Sequence, residues 1–215
     1  MERKITIIDY GLGNLASVAN ALARLKIPYE ISSNPSVIKK ADGLILPGDG
    51  AAGQAMENLK KNGLDVSIKT AIANGTPFLG ICIGMQILLS YSEENETQCL
   101  DIVAGKVKRL QTKLKIPEIG WNQVEIQNSN SKTQKYNSKF KSILKDIPDQ
   151  NYFYFINSFV CVPDDKSIVA GVTEYGETFC SIFEKENIFG VQFHPEKSGD
   201  AGLQMLKNFW EVVCK

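Results

Sequence analysis

One histidine, His194, serves the whole chain of 215 residues. A zinc site of the usual kind needs several imidazoles or clustered thiolates, and the sequence has neither. Its five cysteines, Cys82, Cys99, Cys161, Cys180 and Cys214, are scattered and form no CxxC pair. Their odd number argues against a disulfide framework and points to reduced thiols and a cytoplasmic location. Net charge is lacking too, since 24 Lys and Arg balance 24 Asp and Glu. Nothing in that balance points to nucleic acid or to a charged membrane surface as a partner. No apolar run approaches the length of a membrane span, and Met1-Glu2-Arg3-Lys4 leads straight into a strand rather than a signal peptide. Long linkers and internal repeats are absent, so a single domain over residues 1–215 is expected. Its apolar content, 43%, is enough for an ordinary core.

What is present centres on Pro77-Phe78-Leu79-Gly80-Ile81-Cys82-Ile83-Gly84-Met85-Gln86. Pro77 to Ile81 reads as a buried strand of a parallel sheet. Met85, Leu88 and Leu89 recur at helical spacing beyond it. Cys82 therefore sits on a sharp strand-to-helix turn between glycines, the geometry of a nucleophile elbow with Cys in place of Ser. A helix starting there would favour the thiolate. The alternative is a buried structural cysteine beside a glycine turn.

Before this stretch, strands alternate with helices. Lys4–Ile8, Tyr29–Ser32 and Gly43–Leu46 read as strands; Leu15–Lys26, Ala51–Lys61 and Leu64–Ala73 read as helices, with a helical turn at Ser36–Lys40. That alternation predicts an α/β fold of three αβα layers around a doubly wound, mainly parallel sheet. Sites in such sheets lie at the carboxyl ends of the strands, where both Cys82 and Pro47-Gly48-Asp49-Gly50 fall. Gly11-x-Gly13 also follows a strand but lacks the third glycine of a dinucleotide fingerprint. The Pro47–Gly50 loop either simply turns or offers a backbone amide to an oxyanion. A thiolate attacking an amide needs two such donors: Ile83 N–H is one, and Asp49 or Gly50 would supply the other.

After Leu100 the pattern changes to strands close enough for antiparallel pairing: Ile102–Leu110, Gln123–Gln127, Tyr152–Val162, Ser167–Val172, Thr178–Glu184 and Ile188–Phe193. Asn128–Lys139 is polar and aperiodic and reads as a surface loop. Gly199–Val213 is a closing helix. If Cys82 is activated by a histidine, it is His194, in Phe193-His194-Pro195-Glu196. The residue before proline is held extended, and residues two apart in an extended chain point the same way, so Glu196 can orient the ring. Taken alone, His-Pro-Glu is also compatible with a surface turn.

Pro47-Gly48-x-Gly50, Gly80-Ile81-Cys82-Ile83-Gly84-Met85-Gln86 and Gly190-Val191-Gln192-Phe193-His194-Pro195-Glu196 together, in this order and spacing, resemble the triad-type (class I) glutamine amidotransferases. Within that family the chain is most similar to the glutaminase subunits of imidazole glycerol phosphate synthases, over nearly its full length. The resemblance implies Cys82 as nucleophile, His194 as general base and then acid, and Glu196 as orienter. It also implies that Gln86, Glu94 and the backbone near Ser158 and Phe159 hold L-glutamine. Gln86 stands four residues after Cys82, on the same helical face, which supports its role independently. A (β/α)8-barrel cyclase subunit in a 1:1 heterodimer is the implied partner, with no cofactor. Asn14, Trp121 and Lys197 are candidates for its interface, Trp121 being equally compatible with core packing. Two positions depart from the family pattern: Glu118 and Asn157 stand where histidines are usual. The Asn128–Lys139 loop is longer than the usual join. Paralogues that feed ammonia to sugar amidation, a non-catalytic glutamine-binding subunit and a thiol-redox protein remain as alternative readings.

Overall fold

A computed structural model describes residues 3–127 and 142–215; the Asn128–Lys139 segment lies outside the described residues. The first half alternates as expected: β1 (Ile5–Ile8), α1 (Leu15–Arg24), β2 (Tyr29–Ser32), α2 (Pro35–Ile38), β3 (Gly43–Gly48), α3 (Ala52–Lys61), α4 (Leu64–Ala73) and β4 (Phe78–Cys82). Then come α5 (Ile83–Gln86), β5 (Tyr91–Ser92), β6 (Thr97–Gln98), β7 (Gly105–Arg109), β8 (Glu118–Ile126), β9 (Asn151–Asn157) and β10 (Phe159–Pro163). The chain closes with β11 (Val169–Glu174), β12 (Thr178–Lys185), β13 (Ile188–Val191) and α6 (Gly199–Val213).

Strands β2, β1, β3, β4 and β13 lie side by side, all parallel. Buried on both faces, β1, β3, β4 and β13 are apolar at nearly every position. Beyond β13 the sheet continues antiparallel through β12, β10 and β7, with β11, β8 and β9 branching from β12. Helices α2 and α3 pack on α4, while α1 and α6 both pack on the 3₁₀ turn Pro195–Lys197. A close helix–sheet contact is enforced at Gly43, where a Cβ would stand 2.3 Å from Val213.

Four expectations need correction. The helix after Cys82 is one turn long. The carbonyls of Leu88 and Leu89 accept N–H groups from Asp101, Ile102 and Val103, so the chain is drawn off the helical path. Tyr152–Val162 is two strands. Asn157 still pairs with β8, Phe159 already pairs with β7, and the chain changes partner at Ser158. Ser167 lies inside a 3₁₀ turn, Lys166–Ile168, capped by Asp165 Oδ1, which accepts the Ser167 N–H at 2.9 Å. The strand read from Gln123 begins five residues earlier, at Glu118.

Candidate active site

The parallel neighbours β3, β4 and β13 end together. Gly48 of β3 is in register with Cys82 of β4, and Ile81 with Val191 of β13. Three residues past Val191 is His194, so the sheet itself brings nucleophile and imidazole to one edge. Cys82 adopts φ 55°, ψ −112°, a strained conformation for a residue with a Cβ. The glycines around it are required by close approach. A Cβ on Gly80 would stand 2.4 Å from the Gly84 carbonyl oxygen, and one on Gly84 1.9 Å from that of Leu46.

His194 is extended, as a residue before proline must be, but Pro195–Lys197 then forms a 3₁₀ turn. The pairing with Glu196 therefore arises from a turn and not from an extended run. His194 Nδ1 lies 2.9 Å from Glu196 Oε1, with both side chains almost fully buried. The backbone is fixed as well: His194 N–H donates to the Tyr154 carbonyl at 2.9 Å, and Ser198 Oγ donates to the His194 carbonyl at 2.6 Å. Burial pulls the imidazole pKa down, but hydrogen bonds to Cys82 and Glu196 and the charges on both outweigh it, so it is pushed up to about 10. With Nδ1 engaged by the carboxylate, Nε2 is the nitrogen left for the sulfur.

A one-turn helix offers little dipole, so the expected help from a helix N-terminus is not what serves Cys82. Its polar partners are the His194 ring, the Ile156 carbonyl at 3.7 Å and Gln192 Nε2 at 3.6 Å. Elsewhere, burial pushes thiols up: Cys99 to about 11, Cys180 to about 12, and Cys161 and Cys214 in the same direction. Those four are neutral thiols near pH 7.

The triad opens on a cavity of about 260 Å³ lined by Asp49, Gly50, Ile83, Gln86, Glu94 and Ser158. Ile156, Phe159, Asn157, Pro117 and Lys197 complete its wall. That size suits one small ligand. A larger cavity of about 520 Å³, bordered by Lys108, Lys166, Cys161 and Cys180, contains no nucleophile–base pair, and the chemistry belongs to the smaller one. Among the described residues no group of three His, Cys, Asp or Glu side chains is placed to hold a metal ion.

A sequence model of the family described as glutamine amidotransferase class-I matches residues 6–212. The chain belongs to this family. It is 45% identical over 212 residues to a protein of Moorella thermoacetica named imidazole glycerol phosphate synthase subunit HisH, covering 98% of this chain and 96% of that one. A protein of the same name from Chlorobaculum tepidum is 46% identical over 210 residues, covering 96% and 99%. In fold, the chain resembles a solved structure titled glutamine amidotransferase, with TM-score 0.75 at 16% identity and coverage of 98% and 99%. It also resembles a putative GMP synthase subunit from Thermoplasma acidophilum, with TM-score 0.70 at 21% identity, covering 100% of this chain and 95% of that one.

In this amidotransferase, every expected substrate residue lines the cavity, though with fewer free atoms than expected. Gln86 Nε2 donates to the Phe159 carbonyl and to Gln192 Oε1, both at 3.0 Å, while its Oε1 has no partner. An acceptor is therefore what Gln86 has left to offer. Glu94 Oε2 caps α3 by accepting Ala52 N–H at 2.7 Å. The Ser158 carbonyl accepts from Leu110 N–H, so neither carbonyl of the Ser158–Phe159 pair is free. Of the interface candidates, Asn14 and Lys197 are exposed, and Trp121 is 55% exposed, which removes the core-packing alternative. Trp121 meets Tyr154 edge-on, with ring centroids 6.0 Å apart.

Gln192 was not singled out by sequence reasoning. It is fully buried and bridges Gln86 to Cys82; its place two residues before the histidine was the available signal. Gln192→Leu is expected to slow iodoacetamide alkylation of Cys82 near neutral pH by roughly tenfold, the weight of one hydrogen bond to a charged group. Unchanged alkylation would show that the amide does not serve the sulfur.

Proposed function

We propose that this chain is the glutaminase subunit of an imidazole glycerol phosphate synthase, working in the cytoplasm in a 1:1 heterodimer with a (β/α)8-barrel cyclase. The observation that carries it is an assembled Cys82–His194–Glu196 constellation in a chain 45% identical, end to end, to a protein named as that subunit.

This arrangement supports the following chemistry. At rest the proton already sits on His194, and the Cys82 sulfur attacks the side-chain carbonyl carbon of L-glutamine. The oxyanion rests on Ile83 N–H and on an N–H of the Asp49–Gly50 turn. The imidazolium, held by Glu196, gives its proton to the leaving ammonia, and a glutamyl thioester remains. Water deprotonated by His194 then releases glutamate. Ammonia lost to solvent would be wasted, so the cyclase must cover the site. Exposed Ile119, Trp121 and Tyr152 on β8 and β9, together with exposed Asn14 and Lys197, form the face proposed for it.

The test is complementation of a histidine auxotroph that lacks this subunit and carries the matching cyclase. Growth is expected. Failure with soluble protein would favour the sugar-amidation paralogue, a reading kept open by Asn157 at the cavity and Glu118 opposite it.

A further inference from the structure

Glu118 and Asn157 stand directly opposite each other where β8 meets β9. Opposed residues of an antiparallel pair have Cβ atoms about 4.5–5.5 Å apart. Both side chains are buried, 2% and 5% exposed. Each ends in an acceptor without a partner: Glu118 Oε2 and Asn157 Oδ1. Their other atoms are committed. Glu118 Oε1 accepts from Asn122 Nδ2 at 2.8 Å, and Asn157 Nδ2 donates to the Phe159 carbonyl at 3.4 Å.

Two buried acceptors cannot satisfy each other without a hydrogen between them. Turning the Asn157 amide over does not help. Its oxygen would then face the Phe159 carbonyl, which already accepts from Gln86 Nε2, and the clash of acceptors would only move. We propose that Glu118 is a neutral carboxylic acid in the working enzyme and donates its O–H to Asn157 Oδ1, positioning the 156–159 wall of the glutamine pocket.

Burial pushes the Glu118 carboxyl up, the Asn122 hydrogen bond countering it only in part. Its hydrogen-bonded and cross-strand neighbours carry no charge. Asn122 on β8 and Asn157 on β9 are neutral, and β11 reaches this network through the Glu174 carbonyl, which also accepts from Asn122. Asp49, Cys82, Glu94, His194 and Lys197 are the titratable groups lining the cavity that Pro117 and Asn157 share, with Glu196 behind His194.

The wall matters because its two ends touch the machinery. The Ile156 carbonyl contacts Cys82 Sγ, and the Phe159 carbonyl holds Gln86. Asn157 lies between them. Ionising Glu118 would turn the O–H···O bond into a repulsion and loosen glutamine binding. The neutral form persists below the raised pKa, so weakening is expected on the alkaline side. Glu118 is thus a positioning residue that acts through Asn157.

This rests on reading the cavity as the glutamine site, so the experiment has one arm that does not. Infrared spectra of the chain carrying ¹³C-carboxyl glutamate, wild type minus Glu118→Gln near pH 7, are expected to show one neutral-carboxyl band. Glu184, also buried and raised, contributes equally to both and cancels. The band should shift in Asn157→Ala. No band, or a band indifferent to Asn157→Ala, overturns the proposal. In the second arm, glutamine hydrolysis is measured in the complex with the cyclase. Glu118→Gln, which can still donate, should keep KM within about twofold and lose the alkaline rise, whereas Glu118→Leu should raise KM about tenfold with less change in kcat. A wild-type KM in Glu118→Leu overturns the positioning role. A band that behaves as expected in a protein with no glutaminase activity would instead count against the functional reading.

Discussion

Cys82→Ala is expected to reduce glutamine hydrolysis by roughly 10⁴-fold or more, since removal of a nucleophile leaves only binding and oxyanion stabilisation. The fold should survive. The substitution deletes one atom at a site where the strained turn is set by the backbone contacts of Gly80 and Gly84, and alanine also carries only a Cβ. The buried thiols of Cys161 and Cys180 and the raised thiols of Cys99 and Cys214 should take no part. Labelling with a glutamine-mimicking electrophile, then peptide mapping, is the check. A label mainly on another cysteine would falsify the assignment.

The second large effect is expected at Asp49. Proposed as an oxyanion donor, its peptide sits in a turn where Gly50 takes φ +92°. The Asp49 side chain does something further. Its Oδ1 accepts the Gly13 N–H at 2.9 Å, tying this turn to the loop that leads into exposed Asn14. A carboxylate tether and a Cβ both resist reorientation of the peptide, a cost of about 1–3 kcal/mol, or roughly ten- to hundredfold in rate. The isolated subunit should therefore be a poor glutaminase, and a partner pressing on the Asn14 loop would work through this tether. Asp49→Gly is expected to raise partner-free hydrolysis by about tenfold or more and to shrink the stimulation by the cyclase. Steady-state rates with and without the partner decide it: equal stimulation in variant and wild type would remove Asp49 from the coupling.

The parallel half of the fold was legible because its strands are buried on both faces. Runs such as Ile5–Ile8 and Phe78–Cys82 are apolar without interruption, and the helices between them keep a clean amphipathic period. The closing helix Gly199–Val213 was legible to the residue. The antiparallel half was less so. β5 and β6 have two residues each, too few for any period. The break at Ser158 follows from a change of neighbouring strand, which no local pattern encodes. In the site, Cys82, His194 and Gln86 could be found from elbow, uniqueness and spacing, while Glu94, Ser158 and Phe159 came only from the family resemblance. The bridge from Gln192 to Cys82 could not, because it joins residues 110 apart through a side-chain contact that only the packing of β13 on β4 creates.

The solitary histidine has a spectroscopic consequence. In a proton NMR spectrum of the free chain, the ring C–H resonances of His194 are the entire imidazole population, with no isotope label and no assignment problem. His194 should stay at its imidazolium position well above neutral pH. When Cys82 is capped as a thioester the sulfur can no longer hold the ring charged, and the same lines should move toward the neutral position. One pair of resonances thus becomes a running record of where the catalytic proton sits, from the resting chain through acylation to release of glutamate.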